Sequence, residues 1–298
     1  MSEERKNQDD LISEAPRAQR RRYPWGMMIV AGLFILTAFL SWWGSWFGRS
    51  LSDSQMQEYL HDSEKPRNVQ HALSQIGDRI LRGDESVKQW YAEVIAASGH
   101  FVPEVRRMAA WVMGQDNKSG EFHSALVPML GDDNAAVRHN AALALVRFND
   151  EQARRVLVTM LQPFTVRVEQ GGTVELIFKE EGLPVLANAP LARIKQGDGV
   201  AEVRAPQEGR IEFIAVADKS EIQPGADLMR LSPSVDQVWE ALRGLYCIGR
   251  AEDAEHVQRY TGPVPGMPDH IRKQAVATLE AIRNDPGKAR CNEQVASK

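Results

Sequence analysis

Cysteine is nearly absent from this chain: Cys247 and Cys291 are the only two in 298 residues. That excludes a disulfide framework and leaves no Cys-x-x-Cys for a zinc ribbon or redox pair and no Cys-x-x-Cys-His for haem. Cys247 stands in the apolar run Gly-Leu-Tyr-Cys-Ile-Gly and Cys291 in a polar tail, so the expectation is one core thiol and one free thiol. The seven histidines are scattered, and none falls in a His-Glu-x-x-His pattern. His123 and His139 lie on one expected helix pair, and surface histidine is the reading for both. Phosphate-cradling loops are missing too, because the glycines of 169–172 and 197–199 read as turn glycines. Ser52, Ser54 and Ser63 lie in a polar connector without a base in a fixed frame, and Asp132-Asp133 and Glu180-Glu181 sit at turns as caps or solvated acids. No catalytic, cofactor or metal residue is assigned, and the expectation is a protein that is not an enzyme.

Charge of one sign is lacking as well. Lys and Arg number 36 against 40 Asp and Glu, a net charge of −4, so nothing global points to nucleic acid. A single long uncharged run occurs, from Tyr23 to Gly48, with Arg17, Arg20, Arg21 and Arg22 before it and Trp42, Trp43 and Trp46 near its end. The run is long enough for a helix to cross a hydrocarbon core of about 30 Å, and the tryptophans resemble an interfacial belt. No small-x-small cleavage site follows Leu40, which disfavours a signal peptide. The expectation is a single transmembrane helix over 23–48. Arg20, Arg21, Arg22, Trp42, Trp43 and Trp46 are its interface anchors, a disordered cytoplasmic tail covers 1–22, and the main domain is extracytoplasmic.

Beyond a linker over 49–65, apolar residues recur at helical spacing and the helices pair. The expected pairs are 85–97 with 103–115, 121–131 with 135–149, 151–162 with 234–248 and 251–261 with 268–284, with 66–82 capping the stack. Pro103-Glu-Val-Arg-Arg-Met-Ala-Ala-Trp-Val-Met and Ala135-Ala-Val-Arg-His-Asn-Ala-Ala-Leu-Ala-Leu superimpose at a spacing of 32, and Asp269-His-Ile-Arg-Lys-Gln-Ala-Val-Ala-Thr-Leu is a third copy. Each carries a β-branched core residue (Val105, Val137, Ile271), an arginine (Arg106, Arg138, Arg272) and a small residue for close helix approach (Ala109, Ala141, Ala275). This pattern, fullest over Leu126–Leu145, resembles short HEAT-like repeats of the type also found in phycobilisome lyases. The resemblance implies an α-solenoid over 66–162 and 233–284, ending in a disordered tail over 285–298. The three arginines are read as a ladder joining adjacent repeats, with Asp132 or Asp133 as partners, and as candidate contacts for an acidic partner.

Val137 and Ile271 are 134 residues apart; removing about 70 for the segment 163–232 leaves two periods of 32, so that segment is an insertion within one repeat. It contains a 23-residue stretch twice, from Gly172 and from Gly209, with Val174 matching Ile211, Glu175 Glu212, Ile177 Ile214, Leu191 Leu228 and Arg193 Arg230. Ala205-Pro206, Gly209, Gly225 and Leu228, echoed by Gly182, Val185, Leu191 and Ile194 with Asn188 at the usual turn glycine, resemble the lipoyl/biotinyl family and the barrel-sandwich hybrid of membrane fusion proteins. That resemblance implies a carrier lysine at the hairpin tip, but the position holds Asp198, and Lys195 is three residues early. The tip is also too short for the helical hairpin of membrane fusion proteins.

The fold class expected is therefore mainly α: one transmembrane helix and an α-solenoid of HEAT-like repeats interrupted by a small all-β barrel-sandwich hybrid. The function expected is a non-enzymatic, membrane-anchored scaffold or adaptor of an envelope complex, possibly export-related, whose partners are the membrane and other envelope proteins. The alternatives are a HEAT-like lyase or cofactor-handling enzyme and, against Asp198, a lipoyl or biotinyl carrier.

Overall fold

The computed structural model describes residues 25–46, 50–62, 64–197 and 199–284. The chain divides into two compact units, Met1–Leu51 and Ser52–Lys298. In the first, α1 (Trp25–Trp46) is the one described element. Among the described residues no helix is long and apolar enough to cross a membrane. This corrects the expectation of a single transmembrane span and the localisation built on it. Arg20, Arg21, Arg22 and the side chains of Trp42, Trp43 and Trp46 lie outside the described residues, as do the expected tails.

The second unit also departs from a mainly α class: the chain is about half helical, with two four-stranded antiparallel sheets. Its first helix, α2 (Asp53–Leu60), falls in the stretch read as a linker. Ser52 and Gln55 form a capping box there and Met56 is fully buried. Next come α3 (Pro66–Leu81), α4 (Tyr91–Ala97), α5 (Pro103–Met113), α6 (Gly120–Met129), α7 (Ala135–Arg147) and α8 (Arg154–Met160). After the strands follow α9 (Val235–Ile248), α10 (Ala254–Gln258) and α11 (Asp269–Asn284). The helices pack as pairs, α4 on α5, α6 on α7, α8 on α9 and α10 on α11, while α3, α5, α7, α9 and α11 touch one another in that order as a continuous row. Three of the first helices begin with a tight 3₁₀ turn, at Glu85–Trp90, Glu151–Ala153 and Ala251–Asp253. Asp84 and Asp150 each accept the backbone N–H two residues ahead, which winds that first turn closely.

The small residues of the repeat do what their spacing predicts. Ala109, Ala141, Ala241 and Ala275 are fully buried between neighbouring helices, with Val105, Val137 and Ile271 beside them. In α9 the branched position is Gln237, buried and donating through Nε2 to the Met160 carbonyl at 2.9 Å. Tyr260, also buried, donates to the Leu161 carbonyl at 2.7 Å.

Between α8 and α9 run β1 (Phe164–Arg167), β2 (Gly172–Leu176), β3 (Pro184–Val185), β4 (Pro190–Gln196), β5 (Gly199–Arg204), β6 (Gly209–Ile214), β7 (Glu221–Ile222) and β8 (Asp227–Pro233). The sheet orders are β1-β8-β6-β3 and β5-β4-β2-β7. A shift from Gly172 to Gly209 carries β2 onto β6, β3 onto β7 and β4 onto β8, and in doing so exchanges the two sheets. Each half thus lends its short strand to the sheet of the other, so neither half closes a core alone. Val174, Ile211, Leu191 and Leu228 from the two halves fill one interior. The repeat extends to backbone conformation: Asn188 (φ 63°) stands where the second half has Gly225 (φ 80°), and Lys219 (φ 65°) where the first has Gly182 (φ 83°).

The paired glycines mark a shared close approach. A Cβ on Gly172 would lie 2.3 Å from the Lys195 carbonyl oxygen, and one on Gly209 would lie 2.6 Å from that of Ser232, the equivalent residue of the second half. Gly172 also sits at φ 148°, where a side chain is strained. Gly172→Ala and Gly209→Ala are each expected to lower stability by about 1–3 kcal/mol, Gly172→Ala more. Urea unfolding of the two variants checks both the loss and the order.

Candidate functional site

The three repeat arginines have three different fates. Arg106 makes the expected bridge between repeats: Nε and Nη2 donate to both Asp132 carboxylate oxygens at 2.7 and 2.8 Å, and Nη2 also reaches Asp133 at 2.7 Å. The pair is largely buried, 13% and 11% exposed. Burial alone would raise the Asp132 carboxyl, but the bonds from Arg106 and the Asn134 N–H outweigh it and hold the group below the usual carboxylate range. Among the described residues Arg138 bonds only the carbonyl oxygens of Asp132 and Asp133. Arg272 pairs within its own helix with Asp269 and is half exposed.

A second ladder joins the first helices of the pairs. Tyr91, His123 and Arg154 stand 32 and 31 residues apart, and each reaches an acid in the turn leading to the next first helix. Tyr91 Oη donates to Asp116 at 2.9 Å, His123 Nε2 to Asp150 at 2.7 Å and Arg154 Nε to Asp253 at 2.8 Å. Arg250 adds a pair with Glu151 across the same junction. Arg154 is therefore a part-buried structural group. The spacing was visible in the sequence; three unlike residue types concealed it.

The row of second helices carries a groove of about 500 Å³ on its other side. Arg107 and Trp111 of α5, His139, Leu143 and Arg147 of α7, and Asp236 and Glu240 of α9 line it, and the β5–β6 turn closes it with Gln207 and Glu208. Trp111 and Leu143 are repeat equivalents, as are Arg107 and His139. The β-module is held over the groove: Ser234 donates to Glu208 at 2.6 Å, and Arg259 lies 3.8 Å from Glu212. Burial, and then the neighbouring Arg138, push the His139 imidazole down to about 4, so it is neutral at pH 7. Burial lowers the Arg147 guanidinium. The Glu240 carboxyl is raised by desolvation first and by Asp236 and Glu208 next, although its side chain still meets solvent. Among the described residues no ion pair links any of these groove charges, in contrast to the two ladders.

His123 and His139 serve different surfaces, one in the ladder and one in the groove. Among the described residues no group of three or more His, Cys, Asp or Glu is placed to hold a metal. At the hairpin tip Lys195 pairs with Glu175 at 3.1 Å, and Asp198 lies outside the described residues. Cys247 is bonded as a disulfide, which corrects its reading as a core thiol; Cys291 lies outside the described residues. Local surroundings suggested a buried thiol, and separation along the chain said nothing of proximity in space.

Residues 91–169 match the family model for HEAT repeats. The match runs from α4 through β1 and so covers the two helix pairs before the insertion and the first helix of the interrupted one. No curated protein matches the chain. Among solved structures, one titled "Structure and function of a single-chain, multi-domain long-chain acyl-coa carboxylase" is similar at 20% identity and a TM-score of 0.23. The similarity covers 38% of this chain and only 12% of that one, and at that score it places no part of the fold.

The HEAT ladder and the groove respond to acid in separable ways. Asp132 has a lowered pKa, so its stabilisation is present above the unfolded value of about 3.9 and is lost as the pH falls through the folded value. Asp132→Ala is expected to cost about 2–3 kcal/mol at neutral pH, with the difference from the parent shrinking below about pH 4. Urea titrations at stepped pH measure it. His139 titrates the other way round in charge but with the same sign: the unfolded chain takes up its proton near 6.5 and the folded one not until about 4. Stability contributed by neutral His139 therefore falls between those values on acidification. His139→Asn is expected to lose less stability than the parent across that window, and equal losses would disprove the assignment.

Proposed function

We propose that this chain is a non-enzymatic scaffold or adaptor subunit that binds a partner polypeptide in the groove of its second-helix row, with the β-module as one wall. The observation that carries the reading is the contrast in charge pairing. Arg106, Arg154 and Arg250 are matched by carboxylates within the chain. Arg107, Arg147, Glu208, Asp236 and Glu240, gathered around an apolar floor of Trp111 and Leu143, form no ion pair among the described residues. Desolvation shifts the titration of Arg147 and Glu240, and a partner of complementary charge relieves it. HEAT repeats present extended binding surface of this kind.

We take the repeats to be of the short HEAT-like type of phycobilisome lyases and the insert to be a lipoyl/biotinyl-like barrel-sandwich hybrid of the sort used in adaptors. The exchange of short strands between duplicated halves and the short Gly197 hairpin support that assignment. A specific observation also favours a second reading, small-ligand handling in the same groove: His139 and Glu240, two groups with displaced titration, line one cavity.

A photo-crosslinking residue in place of Leu143 is expected to capture a discrete polypeptide in cells. The adduct should be lost when Glu208→Lys and Glu240→Lys are combined, and absent when the crosslinker replaces the exposed Glu121 of α6. Equal labelling from Leu143 and Glu121, in a protein whose unfolding midpoint is unchanged, would reject the groove as the docking surface. Absence of any polypeptide adduct at Leu143 would leave the small-ligand reading.

A further inference from the structure

Arg106 and Arg138 occupy the same place in successive repeats, and their guanidinium groups are anchored alike. Arg106 Nη1 donates to the carbonyl oxygens of His100 and Phe101 at 3.0 and 3.3 Å. Arg138 Nη1 donates to those of Asp132 and Asp133, 32 residues on, at 2.7 and 3.0 Å. On Arg106 this anchoring turns Nε and Nη2 towards the following repeat, where Asp132 fills them as a bidentate carboxylate. On Arg138 the same two nitrogens bond no group among the described residues.

The insertion explains the empty place. Asn134 caps α7, and Asp132 stands two residues before that cap; Ser234 caps α9, and the residue two before it is Ser232, inside β8. Because β8 runs directly into α9, the acid of the repeat has become a strand residue whose hydroxyl donates to the Arg210 carbonyl at 3.3 Å. The module does bring one carboxylate to the α9 cap, Glu208, but it accepts from Ser234 and forms no ion pair with Arg138. The half-buried Arg138 fork is therefore left without the carboxylate that Arg106 has, among the described residues. Ala136, His139 and Asn140 of the same helix line the groove, and Arg138 itself does not.

We propose that Arg138 is a carboxylate receptor, in which an Asp or Glu side chain of a partner polypeptide seats against Nε and Nη2 as Asp132 seats against Arg106. The receptor geometry stands on the repeat comparison alone; that the carboxylate arrives on a polypeptide rests on the scaffold reading. Asp132, Asp133 and His139 are the titratable groups beside it, and both acids are already engaged by Arg106.

Arginine footprinting of the full chain with phenylglyoxal, read by peptide mass spectrometry, tests this. The probes are the peptide amide (Gly-Glu)₃, its (Gly-Gln)₃ counterpart, and sodium acetate at equal carboxylate concentration, all at constant ionic strength. Without probe, Arg138 is expected to react several-fold faster than Arg106. (Gly-Glu)₃ should slow it several-fold, (Gly-Gln)₃ should not, acetate should do so less, and the exposed Arg82 at the end of α3 should be unaffected throughout. Arg138→Lys keeps the charge but not the fork, and should weaken binding of fluorescein-labelled (Gly-Glu)₃ about ten-fold with an unchanged unfolding midpoint. Arg138 reacting as slowly as Arg106 without probe, or equal protection of Arg82 and Arg138, would overturn the receptor. Protection by acetate equal to that by (Gly-Glu)₃ would overturn the polypeptide source. Partner adducts at position 143 without protection of Arg138 would remove this site and leave the scaffold reading standing.

Discussion

The helical stack survives an insertion of eight strands because the break between α8 and α9 is sealed by hydrogen bonds from residues that follow the insertion. The last carbonyls of a helix have no partner inside it, and at the end of α8 they are buried. Gln237 supplies the donor for Met160 and Tyr260 the donor for Leu161. Around them Leu157, Met160, Ala241 and Leu245 are almost completely buried. An unmet buried carbonyl costs about 1–3 kcal/mol, so the stack has reason to hold a glutamine where its other repeats hold valine or isoleucine. With that junction closed, the β-module emerges from a fixed base and its β5–β6 turn lies across the second-helix row.

The two faces of the helical layer differ in how charge is used. Along the first helices, and at the turns before the second helices, side chains of successive repeats are joined by short contacts to buried or half-buried acids. These contacts fix the repeat-to-repeat geometry. In the groove, arginines on α5 and α7 oppose acids on α9 and the module without meeting them. The insertion is the cause on both counts: it contributes Glu208 to the groove, and it replaces by Ser232 the acid that would have continued the arginine ladder. One event in the chain thus ends a structural series and opens a surface.

Much of the helical pattern was legible, since a spacing of 32 with a branched residue, an arginine and an alanine requires a repeated interface whatever the loops do. The paired β-segments were legible for the same reason, and their glycines stand at equivalent close approaches. The capping box at Ser52 and Gln55 was also written in the sequence but passed over as part of a linker. Three things were not legible. The arginines look identical in sequence, yet only Arg106 meets a carboxylate in the next repeat. The ladder of Tyr91, His123 and Arg154 shares a spacing but no residue type. The apolar run after Arg22 read as a membrane span, whereas among the described residues no helix is long and apolar enough to cross one.

By itself the sequence determined which residues pair as helices, that an insertion divides one repeat, and that the insertion is duplicated, because periodic burial is a local property of residue type and spacing. Only the tertiary structure decided which charges are satisfied and which are left facing a groove. That depends on what the next repeat places opposite each side chain, and the β-module put Ser232, rather than an acid, at the position after Arg138.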